Sequence, residues 1–165
     1  MLSSLVLALA IRASNPAVSP DRAQVYAKWV QHEAARRHLD PWLFQAIIDR
    51  ETRWTPQAIR HESDGSCSVG LGQINGSCVE SNTSALLDPH INIERMGLML
   101  SRMRSSCRHD CEHLGWARAY NPGSPAYFEA VRKAVDAYHG QSPEPVVHRV
   151  RTEMPVPKLP REGAH

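Results

Sequence analysis

At four places in this chain, Ser19-Pro20, Asp40-Pro41, Asp88-Pro89 and Ser124-Pro125, a helix-capping residue stands directly before a proline and an apolar run follows. A Ser or Asp oxygen can accept from a backbone N–H that the first helical turn leaves without a partner. Proline in the next position has no N–H to leave unpaired, and its φ already suits a helix. Each pair therefore predicts a helix start. Apolar residues at helical spacing follow every one: Tyr26, Trp29, Val30 and Ala34, then Phe44, Ile47 and Ile48. The third run is Ile93, Met96, Leu100 and Met103, and the last is Phe128, Val131, Val135 and Tyr138. A shorter helix is expected over 113–120. No run alternates with the period of a strand, so the expected fold is an all-α domain over 19–140.

The flanks read differently. Leu2 to Ala10 is an apolar run ending in Ala8-Leu9-Ala10, a small-x-small pattern. That suits an export signal within 1–18, or else an apolar N-terminal helix, since no Lys or Arg precedes it. It is too short to span a bilayer. Gly140 suits the end of the last helix, and 141–165, rich in Pro and charge, reads as an extended tail.

With 165 residues there is room for one domain with a real core. A net charge of +2 without basic runs interleaved with aromatics excludes a nucleic-acid signature. The four cysteines, Cys67, Cys78, Cys107 and Cys111, allow three pairings. Proximity in sequence favours Cys67–Cys78 and Cys107–Cys111, and oxidised pairs fit an exported protein. The alternative is zinc, since Cys107, His109, Cys111 and His113 alternate, but that spacing is compressed for a structural site.

Glu51 is the residue that plain packing does not explain. In "AIIDRETRW" and the residues just before it, Glu51 shares a helical face with Phe44, Ile47 and Ile48, which precede it by 7, 4 and 3 residues. Thr55-Pro56 disfavours continuing the helix, which puts Glu51 near a helix C-terminus. The negative end of the dipole and apolar surroundings both raise a carboxyl pKa. A carboxylic acid that keeps its proton near neutral pH is what protonation of a glycosidic oxygen needs. Arg50 and Arg53 flank it and are expected to point elsewhere. Two more segments carry groups suited to a sugar. In "SVGLGQIN", Gly70 and Gly72 permit close backbone approach and Gln73 offers both donor and acceptor. In "WARAYNPGSP", Tyr120 and Asn121 stand at a helix end before a tight turn.

In this order the three segments resemble the catalytic domain of lytic transglycosylases, the goose-lysozyme-like murein enzymes. The family pattern of Glu-Ser, G-L-M-Q and A-Y-N stands here as Glu51-Thr52, Gly70-Leu71-Gly72-Gln73 and Ala119-Tyr120-Asn121. Thr52 replaces the Ser, and Gly72 replaces the Met. The likeness runs from about Asp21 to Tyr138, and "AIRHESDGSCSVGLGQIN" is most similar to small members that accompany secretion or pilus machinery, or that phages carry.

The resemblance implies a lysozyme-like helical fold and a peptidoglycan glycan strand as substrate, cut between N-acetylmuramic acid and N-acetylglucosamine. Glu51 would serve as acid and then base, with a 1,6-anhydro ring as product. Thr52, Gly70, Leu71, Gln73, Tyr120 and Asn121 would bind the sugar. No metal or organic cofactor is implied. Such an enzyme works in the periplasm or outside the cell, or in a virion. The rivals are a goose-type hydrolase and a catalytically idle glycan-binding subunit. A hydrolase needs a second carboxylate. Asp49, Glu62, Asp64 and Glu80 are the nearby ones, and Asp64, in the "HESDGS" loop, is the strongest of them.

Overall fold

The computed structural model describes residues 3–109 and 111–141, side chains at 80, 82 and 141 excepted. Three helices open the chain: α1 (Ser4–Ser14), α2 (Pro20–Arg37) and α3 (Pro41–Glu51). Strands β1 (Ile59–His61), β2 (Ser66–Val69) and β3 (Ile74–Ser77) follow, then helices α4 (Glu80–Leu86) and α5 (Pro89–Ser106). A 3₁₀ segment, Glu112–Tyr120, leads to α6 (Pro125–Gln141).

All four cap-proline pairs start helices. Ser19 accepts from the Arg22 N–H, Asp40 from Trp42, Asp88 from His90 and Ile91, and Ser124 from Tyr127. Of the apolar residues read from the four runs, only Trp29, Met103 and Tyr138 are less than fully buried. The hub is α3. Every side chain from Trp42 to Ile48 is buried, not one stripe alone, because α1, α2 and α6 all pack against it. A helix apolar on all sides belongs at the centre of a domain. The N-terminal apolar run forms α1, which buries Leu7, Ala8 and Ile11 against α2 and α3. No described helix is long and apolar enough to cross a membrane.

The predominantly helical expectation holds, but its exclusion of strands is corrected. The three strands form an antiparallel sheet in the order β1-β2-β3. At 3 or 4 residues each they are too short for alternation to register. Their hairpin is set by "HESDGS": Asp64 accepts from the N–H and hydroxyl of Ser66, and Gly65 turns the chain at φ 82°. The helix expected over 113–120 is a 3₁₀ segment in which His113 and Leu114 are left-handed. Only Trp116 and Ala117 of it are buried, too little apolar face to stabilise a full α-helix. The last helix runs through Gly140 to Gln141. The expected tail beyond it lies outside the described residues.

Both proximal cysteine pairs are disulfides, Cys67–Cys78 and Cys107–Cys111. The first ties β2 to the residue after β3, and His61 Nδ1 lies 3.4 Å from Cys67 Sγ. The second closes the short loop between α5 and the 3₁₀ segment. The sulfurs proposed as zinc ligands are thereby taken up.

Candidate active site

Glu51 is the last residue of α3, and the chain leaves it abruptly. Arg53 and Trp54 both adopt positive φ, 49° and 61°, which sends the Trp54 ring into the core against Tyr26. Two successive non-glycine residues in that region are strained, and burial of the Trp54 side chain, none of it exposed, holds them there. Glu51 itself is half-buried. Tyr127, in the first turn of α6, donates its hydroxyl to Glu51 Oε1 at 2.6 Å. Burial raises the Glu51 pKa, and the Tyr127 bond, Arg60 and Arg50 offset that only in part. That is the direction expected of an acid on an apolar helical face. One expectation is corrected: Arg50 turns toward the site, its guanidinium 5.9 Å from the Tyr127 ring centre.

The Gly70–Gln73 turn is held against the end of α3 from several sides. The Thr52 hydroxyl donates to the Leu71 carbonyl at 2.9 Å. Leu71's side chain is wholly buried, so it anchors the turn in the core. Gln73 sits at φ 48°, and its Nε2 donates to the carbonyls of Gly70 and Ala58. Its amide hydrogens thus brace the turn, and its side-chain oxygen is the group it has for a ligand.

Each glycine answers a packing demand. Gly70 has φ 73°, and a Cβ there would stand 2.2 Å from Asn92 Nδ2. A Cβ on Gly72 would meet the Tyr120 hydroxyl at 2.9 Å and Met96 Sδ at 3.0 Å. Met96 of α5 thus occupies the space behind Gly72. Tyr120, at the end of the 3₁₀ segment, donates to the Gly72 carbonyl. Burial and the charge of Glu51 both raise the Tyr120 pKa, so it stays a neutral donor beside the acid. Asn121 follows it, half-buried, its backbone carbonyl accepting from Ser124.

Two residues of the constellation were missed in the sequence. One is Tyr127. The other is Asn92, fully buried in α5, whose Nδ2 donates to the Val69 and Leu86 carbonyls while Oδ1 accepts from the Gly72 N–H at 2.8 Å. Asn92 pins β2, α4 and the Gly70–Gln73 turn to one helix.

The other carboxylates fall into place. Asp49 points away, into a groove with Trp42 and Tyr138 beside α1. Asp64 is taken up by the Ser66 turn. Glu62 is the one whose charge reaches Glu51, and it accepts from Arg60 at 2.8 Å and from Ser68. The side chain of Glu80 lies outside those described.

Residues 28–140 match the transglycosylase SLT domain. The chain belongs to the transglycosylase SLT family. This SLT domain is similar to the "Invasion protein IagB" of two Salmonella typhimurium strains, SL1344 and LT2, and is 31% identical to each over 112 residues. That alignment covers 64% of this chain and 68% of either relative. No solved structure matches it. Membership gives the SLT domain a function of lytic transglycosylase type, directed at peptidoglycan.

Proposed function

We propose that this SLT domain cleaves the bond between N-acetylmuramic acid and N-acetylglucosamine in peptidoglycan strands, leaving 1,6-anhydromuramic ends. The observation that carries the reading is one half-buried carboxyl with a raised pKa, held by a tyrosine hydroxyl. Protonated Glu51 gives its proton to the glycosidic oxygen as the bond to muramyl C1 breaks. The resulting carboxylate then takes the proton of the muramyl 6-hydroxyl while O6 bonds to C1, which restores the acid. No water enters and no second carboxylate is required. Tyr127 fixes the rotamer of Glu51 through both steps, and the Gly70–Gln73 turn with Tyr120 and Asn121 positions the sugar. Thr52 and Leu71 act by holding that turn.

The hydrolytic reading would run through Glu62, the carboxylate whose charge reaches Glu51. Its ties to Arg60 and Ser68 count against it as a base, because both bonds lower its pKa. The proposed place of action is the periplasm or outside the cell, where peptidoglycan is met, in the service of a secretion, pilus or virion machine. The catalytic unit spans 19–140 in this reading.

Purified sacculi test the activity. Wild-type protein should release soluble muropeptides, and Glu51→Gln should fall by a factor of about 10² to 10⁴ with unchanged circular dichroism. A folded Glu51→Gln protein retaining more than half the activity would remove Glu51 from its role. No release by the wild type would favour an idle glycan-binding subunit.

A further inference from the structure

The small sheet gathers three metal-binding side chains at the end of the β2–β3 hairpin opposite the Gly70–Gln73 turn. His61 stands across from Cys67 in the β1–β2 register, and Cys67 across from Gly76 in the β2–β3 register. Paired residues share a face of the sheet, and so do residues two apart, which brings Cys78 to the same side. His61 Nδ1 lies 3.4 Å from Cys67 Sγ and 3.9 Å from Cys78 Sγ. All three ligand atoms fall within 4.8 Å of one another. Cys67 is buried, Cys78 half-buried and His61 exposed, so an ion has a path from solvent to the sulfurs. Among the described residues, no other three His, Cys, Asp or Glu side chains are gathered so closely, those around Cys107 and Cys111 included.

We infer that His61, Cys67 and Cys78 form a zinc site once the Cys67–Cys78 bridge is reduced. Two thiolates and an imidazole are a donor set that suits zinc and not the oxygen-seeking magnesium or calcium. With Zn–S bonds of about 2.3 Å and Zn–N bonds of about 2.0–2.1 Å, a tetrahedral centre sets sulfur and nitrogen ligands about 3.6 Å apart. The imidazole already stands at that distance from the two sulfurs. Only the sulfurs have to separate, to about 3.8 Å. A dithiol reductant gives up two electrons and two protons, and its thiols close into a disulfide as Cys67 and Cys78 become free thiols. Zn²⁺ then displaces those two protons and accepts the Nδ1 lone pair of neutral His61, with water in the fourth position. The ion clasps the same strands as the bridge, so the turn bearing Gln73 stays tied at its base in either state.

The test uses the full chain and zinc alone, with a trialkylphosphine as reductant. The reduced protein should hold a single zinc per chain after gel filtration, and the oxidised protein none. Zinc should shield Cys67 and Cys78 from alkylation while Cys107 and Cys111 react, which peptide mapping by mass spectrometry reads directly. It should also raise the melting temperature of the reduced protein and leave that of the oxidised protein unchanged. His61→Ala, a change at an exposed residue, should weaken zinc binding roughly tenfold or more without altering the melting of the oxidised form. No zinc on the reduced chain overturns the inference, whether or not that chain stays folded. Shielding of Cys107 and Cys111 in place of the first pair does so too, as does a His61→Ala protein that binds zinc as tightly as wild type. None of these readouts needs a glycan to be cleaved, so the zinc site and the proposed reaction fail separately.

Discussion

A carboxyl that must both give and recover a proton is governed by what touches it, and for Glu51 that is the Tyr127 hydroxyl at 2.6 Å. Burial raises the Glu51 pKa and the tyrosine bond lowers it, so Tyr127→Phe should raise it further. The rate of a general acid falls as pH rises through its pKa. The alkaline limb of the pH profile should therefore move to higher pH in Tyr127→Phe, while kcat drops roughly tenfold because the rotamer is freed. A pH–rate profile showing an unmoved limb would deny Tyr127 this part. The same shift carries a stability consequence. A carboxyl whose folded pKa is raised contributes nothing below its unfolded pKa, and above its folded pKa its buried charge counts against the fold. Glu51→Gln should thus melt at or above the wild-type temperature at neutral pH, with the difference vanishing below about pH 4. Melting curves at the two pH values check this. Glu51 was legible in the sequence because an acid on an apolar face at a helix end is a local contradiction. Tyr127 was not legible, since its partner is 76 residues away and only the docking of α6 on α3 joins them.

At the scale of elements, the site depends on a turn and a helix meeting through Asn92. Its side chain satisfies two carbonyls and one N–H while fully buried. Asn92→Ala would leave those groups without partners, at about 2–4 kcal/mol in total. Urea unfolding should show that loss, and the turn bearing Gln73 should loosen, lowering activity beyond what stability alone explains. An Asn92→Ala protein as stable as wild type would refute the role. The helix starts were legible because capping and proline chemistry are local, and all four pairs begin helices. The sheet was not, because strands of 3 or 4 residues are fixed by pairing register and by the Cys67–Cys78 bridge. Gly70 was legible only in part, for a related reason. A glycine in sequence announces freedom of φ or space, and only the fold shows that Asn92 packs where a Cβ would stand.

For the whole molecule, the central claim is that one carboxyl suffices. Three strands and α5 gather the turn, Tyr120 and Glu51 around a buried hub, and the other described acidic side chains near Glu51 in sequence are directed away or tied to cations and hydroxyls. A retaining hydrolase would need a second carboxylate about 5–5.5 Å from the first, and an inverting one at about 6.5–9.5 Å. Family membership establishes the class of substrate but leaves the nucleophile open, so the products decide. Sacculi digested with the wild-type protein and analysed by mass spectrometry should yield muropeptides one water lighter than their hydrolytic counterparts, with Glu51→Gln yielding neither. Predominantly hydrolytic muropeptides, lost on Glu62→Gln, would contradict the account and make this protein a two-carboxylate hydrolase.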